Sequence, residues 1–202
     1  YSYNNINGNN YIGGIYGYSY SYDRNFTYHS EITTSDCFTN GIIKGNESIG
    51  GIVGYIEQNM GSLGISKCYS NNSIIEGKNC VGGIFGNSTV NDIQISKNVS
   101  LNEVISSDNN LYRIGNNGGF DNNLAWVLTQ MLLNGAKQPI PDDSGANGTS
   151  TGLSTLKLQA TYEGLGWDFA DTWQIEETES FPYFKNQTAP PYFQQALKKG
   201  DT

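Results

Sequence analysis

Tyr11-Ile-Gly-Gly-Ile-Tyr-Gly-Tyr18 returns as Ser48-Ile-Gly-Gly-Ile-Val-Gly-Tyr55, and again as Cys80-Val-Gly-Gly-Ile-Phe-Gly-Asn87. The copies are offset by 37 residues (Gly13 to Gly50) and then by 32 (Gly50 to Gly82). A degenerate fourth copy is Leu111-Tyr-Arg-Ile-Gly-Asn116. A second block runs between them. Cys37-Phe-Thr-Asn-Gly-Ile-Ile-Lys-Gly45 matches Cys68-Tyr-Ser-Asn-Asn-Ser-Ile-Ile-Glu-Gly77 with one insertion, and Asn98-Val-Ser-Leu-Asn-Glu-Val-Ile105 is a weaker third copy. Two blocks that keep their order through successive repeats define one structural unit. Such a unit cannot bury its apolar side alone and does so by stacking on its neighbours.

The composition around these blocks favours strands. Of 19 Ile, 17 precede residue 115, and no Ala occurs before Ala125. Ala is the best helix former and β-branched residues suit strands. Each repeat holds three or four strand-sized runs separated by Gly, Asn or Ser corners. The expected fold is therefore all-β: a parallel β-helix or β-solenoid of about three to four turns, with a small C-terminal capping module. Ile15, Ile52 and Ile84 should form one internal row, and Ile43, Ile75 and Ile105 another. The motif glycines are Gly13, Gly14 and Gly17, then Gly50, Gly51 and Gly54, then Gly82, Gly83 and Gly86. The Gly-Gly pairs call for either a positive-φ corner or a close approach of backbones. A β-sandwich or propeller would show hairpin-spaced Asn-Gly turns, which the sequence lacks.

The order Val/Ile-Gly-Gly-Ile-x-Gly, followed by a Cys-Tyr-Ser-Asn-like block, resembles the GLUG-motif repeat of bacterial cell-surface proteins. The segments Tyr112-Arg-Ile-Gly115, Asn122-Asn-Leu-Ala125 and Met131-Leu-Leu-Asn-Gly135 are similar to the closing turn of such arrays. Leu165-Gly-Trp-Asp-Phe169, Trp173 and Phe181-Pro-Tyr-Phe184 are similar to the module that follows them. Two positions depart from the pattern: Arg113 replaces the first Gly, and Asn98 the expected Cys. The resemblance implies a bacterial, secreted or surface-exposed adhesin-type module rather than a reaction.

Composition shifts near residue 120, where Ala, Trp and Pro enter. The reading is a repeat region over 1–136, a capping module over 137–187 and a tail or linker over 188–202. Leu124, Leu128, Met131 and Leu132 fit a helical spacing, but the repeat register argues for strands ending at Gly135. Ser154–Tyr162 is the best helix candidate, with Leu156 and Ala160 on one face and Gly164 as its stop. Trp167, Asp168 and Trp173 belong to the structural motif, the aromatics sealing the end of the stack. An unsealed last turn would leave unpaired backbone groups. The other end has no such module, so the natural chain is expected to extend N-terminally.

A net charge of −8 argues against nucleic acid and against anionic membranes. The longest apolar stretch, Leu124–Leu133, is too short to span a bilayer. The sole histidine, His29, sits in a Tyr/Ser-rich segment without zinc-ligand or nucleophile-elbow spacing. Asp142-Asp143 reads as solvated loop charge, and Asp168 and Asp171 as turn formers. No catalytic, cofactor or metal residue is assigned, and the reading is non-enzymatic. The seven Asn-x-Ser/Thr sequons are largely incidental in so Asn-rich a chain. Cys37 and Cys68 should lie one above the other, a placement that permits a disulfide, although a buried free thiol is the favoured reading. Cys80 has no repeat partner.

Aromatics supply the positive binding signal. Tyr18, Tyr20 and Tyr22 share one face of an extended strand, where they can stack on sugars or grip a protein, or else pack on a neighbouring turn. The expected function is an extracellular or bacterial cell-surface spacer that docks host or cell-surface glycans or proteins. The alternatives are a carbohydrate-binding module and a carbohydrate-active β-helix enzyme.

Overall fold

The computed structural model describes residues 2–21, 30–58, 61–90, 93–141 and 144–188. His29, Tyr22 and Asp142-Asp143 lie outside them. The chain forms two compact units, Tyr1–Ser150 and Thr151–Thr202. The boundary expected after residue 136 falls inside the first unit, where the Ile114 amide donates to the Ala146 carbonyl at 2.9 Å.

The first unit is all-β and dominated by parallel pairing. One ladder joins Asn10–Gly13, Glu47–Gly50, Asn79–Gly82 and Leu111–Tyr112. A second joins Tyr16–Ser21, Val53–Gln58 and Phe85–Ser88. A third joins Ser30–Ser35, Gly61–Ser66, Ile93–Ser96 and Gly119–Asp121. The fourth is wider and contains Ser2–Asn7, Phe38–Lys44, Tyr69–Gly77 and Val104–Ser107. Each strand's neighbour is the matching strand of the adjacent repeat, so equal residues meet: Ile12 pairs with Ile49 and Ile49 with Val81.

Both isoleucine rows form. Ile43 pairs with Ile75 and Ile75 with Ile105, and the row continues to Ile6 at one end and Met131 at the other. Backbone bonds run from Ile15 to Ile52, Ile52 to Ile84 and Ile84 to Ile114. Ile52, Ile84 and Ile114 are fully buried. Each buried aliphatic side chain of this kind contributes roughly 1.5–3 kcal/mol, and the strand period of two holds the whole set inward. Leu124–Trp126 and Gln130–Leu133 are strands, as the repeat register requires.

Close approach, rather than positive φ, explains the Gly-Gly pairs. A Cβ on Gly13 would sit 2.6 Å from the Gly54 nitrogen and 2.8 Å from the Ile52 oxygen. On Gly50 it would sit 2.8 Å from the Gly86 nitrogen. The second glycine of each pair faces a hydroxyl-bearing residue of the other block: Thr39 opposite Gly14, Ser70 opposite Gly51, Ser100 opposite Gly83. The two sequence blocks therefore interlock across the interior. The third glycines, Gly17, Gly54 and Gly86, lie against the backbone at or beside Tyr11 and Ser48.

The positive-φ corners fall elsewhere, on non-glycine residues. Tyr11, Ser48 and Cys80 have φ of 58°, 54° and 51°, two residues before each Gly-Gly pair. Asp36, Lys67, Lys97 and Asn122 repeat the conformation at a second corner, with φ between 51° and 59°. Each costs roughly 1–2 kcal/mol for an L-residue, so the stacked neighbours must impose it.

The fourth copy aligns differently from the sequence reading. Gly82 pairs with Tyr112, so Tyr112 takes the first glycine position and Arg113 the second. The Arg113 side chain runs into the interior, where it is fully buried. It donates to the carbonyls of Gly148 (2.8 Å) and Trp126 (3.4 Å) and to Ser150 Oγ (3.0 Å). Room exists because the hydroxyl row Thr39, Ser70, Ser100 ends in Ala125.

In the second unit the expected single helix is two short ones, Leu153–Leu156 and Gln159–Gly164. Leu158 is extended, with φ −106° and ψ 131°. That break lets Tyr162 pack inward, its hydroxyl donating to the Leu156 carbonyl at 2.7 Å, while Ala160 stays exposed. Trp167 packs at a tilt against Tyr162 (4.9 Å) and Trp173 (4.8 Å), and Trp173 stacks on Phe184 at 4.5 Å. Among the described residues no helix is long and apolar enough to cross a membrane.

Candidate functional site

Among the described residues of the first unit, the exposed large aromatics gather in one tyrosine face. Tyr18 and Tyr20 stand on Tyr16–Ser21 and remain 47% and 56% exposed. The parallel register sets Tyr55 beside Tyr18 and Glu57 beside Tyr20. Tyr11 joins from the corner, 37% exposed. Its ring stacks on Tyr55 with centroids 4.5 Å apart and on Tyr18 at 5.4 Å. Tyr18 lies 6.0 Å from Tyr55 and 6.5 Å from Tyr20, with interplanar angles of 7° and 13°.

Gly17 and Gly54 place these rings outside. Val53 and Ile56 both point inward, with Tyr55 between them facing out. Strict alternation would forbid two inward residues three apart. The tight backbone contact at the third glycine lets the strand change phase there. Tyr16, before Gly17, turns to the core instead, where its hydroxyl accepts from Thr34 Oγ1 at 3.1 Å and burial pushes the phenol up.

The Tyr18 hydroxyl donates to Glu57 Oε2 at 2.9 Å. A phenolate beside that carboxylate is disfavoured, and Tyr18 is pushed up to about 12. Burial pushes Tyr55 up as well. Tyr18 and Tyr55 thus hold their protons across the physiological range. The row presents stacked rings with hydroxyl edges and one carboxylate, which suits contact with a partner that is apolar on one side and hydroxylated on the other.

Of the sequence-based candidates, Tyr18 and Tyr20 come together and Tyr22 lies outside the described residues. Tyr55 was legible through the repeat, since it occupies the position of Tyr18. Tyr11 carried no signal, because a tyrosine at positive φ is uncommon. Among the described residues no cluster of three or more His, Cys, Asp and Glu side chains could hold a metal ion. Asp168 is a turn former. Its carboxylate accepts from the amides of Asp171 (3.1 Å) and Ala170 (2.8 Å) and from Thr172 Oγ1 (3.1 Å), which holds it below its ordinary value. The face is thus defined by its own geometry. No family model, curated protein or solved structure matches this chain.

Proposed function

We propose that this chain is a GLUG-type β-solenoid module of a bacterial cell-surface protein: a non-catalytic spacer that docks glycans or proteins through its tyrosine face. One observation carries the reading. The repeat-conserved residues (the glycines, the hydroxyl row, the isoleucines) all serve stacking, whereas Tyr11, Tyr18, Tyr20 and Tyr55 stack into an exposed row. Stacked repeats give length and stiffness, and exposed rigid aromatics give contact area at low entropic cost.

Arrays of immobilised glycans and host surface proteins test this with the full chain beside its Tyr18→Ala and Tyr20→Ala variants. Binding by the parent and a loss of about tenfold in each variant is the expected outcome. Binding that ignores both changes refutes the tyrosine face, and hydrolysis of any arrayed glycan refutes the non-catalytic reading. A blank array removes docking and leaves the spacer alone.

A further inference from the structure

We propose that Cys37 and Cys68 are a covalent modification site: a dithiol that a low-molecular-weight disulfide oxidises to a staple between neighbouring repeats. Both cysteines are free in the structure. Registered pairs hold them on either side. Before them Ser35 pairs with Ser66; after them Phe38 pairs with Tyr69, the two rings stacked at 4.9 Å and 1°. The residues immediately preceding, Asp36 and Lys67, share the same corner conformation, with φ 52° and 51°. Identical corners in neighbouring strands about 4.8 Å apart aim the two Cβ atoms the same way. That spacing lies within the Cα separation of disulfides, about 4.4–6.8 Å, and closing the bridge draws the parallel Cβ atoms together from about 4.8 Å to about 3.5–4.5 Å. The Tyr69 amide bonds to the Cys37 carbonyl at 3.0 Å, the Cys37 thiol donates to the Ser35 carbonyl at 3.1 Å, and the Cys68 thiol reaches both the Ser66 carbonyl (3.1 Å) and, across to the strand before Cys37, the Thr34 carbonyl (3.7 Å).

The pair is asymmetric in the way exchange requires. Cys37 is half-buried and Cys68 fully buried. The adjacent Cys68 thiol lowers Cys37 to about 7, against its own partial burial, which makes it the more readily ionised thiol of the pair. Burial pushes Cys68 up and keeps its proton in place. Cys37 therefore attacks first, forming a mixed disulfide and expelling one small thiolate. Cys68 then loses its proton and attacks the Cys37 sulfur, expelling the second. One small disulfide is reduced to two thiols, two protein thiols become one disulfide, and their protons end on the departing thiols. The row continues with Asn98, not a third thiol, so no other cysteine competes within it. Cys80 sits at the other corner, beside Asn79 and Asn116.

Incubation of the full chain with oxidised glutathione at neutral pH, followed by denaturation, alkylation and peptide mass mapping, tests the assignment. The expected product retains one alkylatable thiol, Cys80, and carries a Cys37–Cys68 bridge that dithiothreitol reverses. Cys68→Ser is expected to stall with glutathione on Cys37. A lasting glutathione adduct on Cys37 of the parent chain, a bridge to Cys80, or three unreacted thiols would each overturn the proposal. The parent-chain map decides it even if the variant does not fold. The array experiment reads the tyrosine face and is independent of this one.

Discussion

Gly51→Ala isolates the interlock between the two sequence blocks. The added methyl would overlap the Gly83 carbonyl oxygen and Ser70 Oγ, and would lie 2.7 Å from Ser70 Cβ. Carbon atoms pack at about 3.5–4.0 Å, so the neighbours must retreat by roughly 1 Å. They cannot do so freely. The Gly51 amide bonds to Gly82 at 3.2 Å, the Gly83 amide to Tyr112 at 3.1 Å, and Ser70 Oγ to Asn102 Oδ1 at 2.8 Å. Overpacking costs about 1–3 kcal/mol, and losing one buried hydrogen bond costs about 1–3 more. The expected loss is about 2–6 kcal/mol. For a unit of this size that corresponds to a Tm lower by roughly 4–24 °C. Gly64→Ala is the matched control within the same unit, since its Cβ would meet only Thr33 Cγ2, at 3.4 Å. Calorimetry on both variants reads the difference. Equal melting temperatures would show that the glycine row is not held by contact, and the explanation of the repeat motif would fail.

Arg113→Met removes the donor that serves Trp126, Gly148 and Ser150; urea unfolding should show a loss of about 2–4 kcal/mol, and an unchanged midpoint would refute its role. Asn102 accepts from the Asn72 amide and Ser70 Oγ and donates to the Gly83 carbonyl, all buried. Asn102→Ala should therefore cost about 3 kcal/mol or more, with a loss below that of an exposed Asn→Ala change counting against the network. Glu57→Gln removes the negative charge that disfavours the Tyr18 phenolate. In an ultraviolet titration the Tyr18 midpoint should then fall from about 12 toward the ordinary value of 10.0, and a midpoint that stays put would show that Glu57 is not the cause.

Periodicity made the strand ladders legible, because every repeat position is reused. Ile43, Ile75 and Ile105 fell on one row without knowledge of any contact, and the same logic, though it was not applied to Tyr55, would have set it beside Tyr18. The corners were not legible. Tyr11, Ser48 and Cys80 share a left-handed backbone but no chemistry, since stacked neighbours enforce the conformation and residue preference does not. The burial of Ser70, Asn72, Ser100 and Asn102 left no mark in the sequence, since polar side chains are mostly exposed and only their mutual bonds make the interior acceptable. Asn98 and Asn123 are a further case. Each donates to the carbonyl of an isoleucine in the preceding repeat (Ile65, Ile95), and each accepts a backbone amide one repeat back (Cys68, Asn98). They thereby replace the cysteine row with a polar one. Arg113 was misplaced by one position because Tyr112 gave no hint that it stands where glycine stood.

The exchange of glycine for Arg113 and of serine for Ala125 gives the array a direction of growth. A duplicated segment spliced in upstream would find a bare backbone opposite a hydroxyl and could be copied again. Beyond Arg113 the slot is already filled by a guanidinium, and a further copy would find no vacancy. Whether a turn can be repeated at this place is thus set by one side chain, the buried guanidinium.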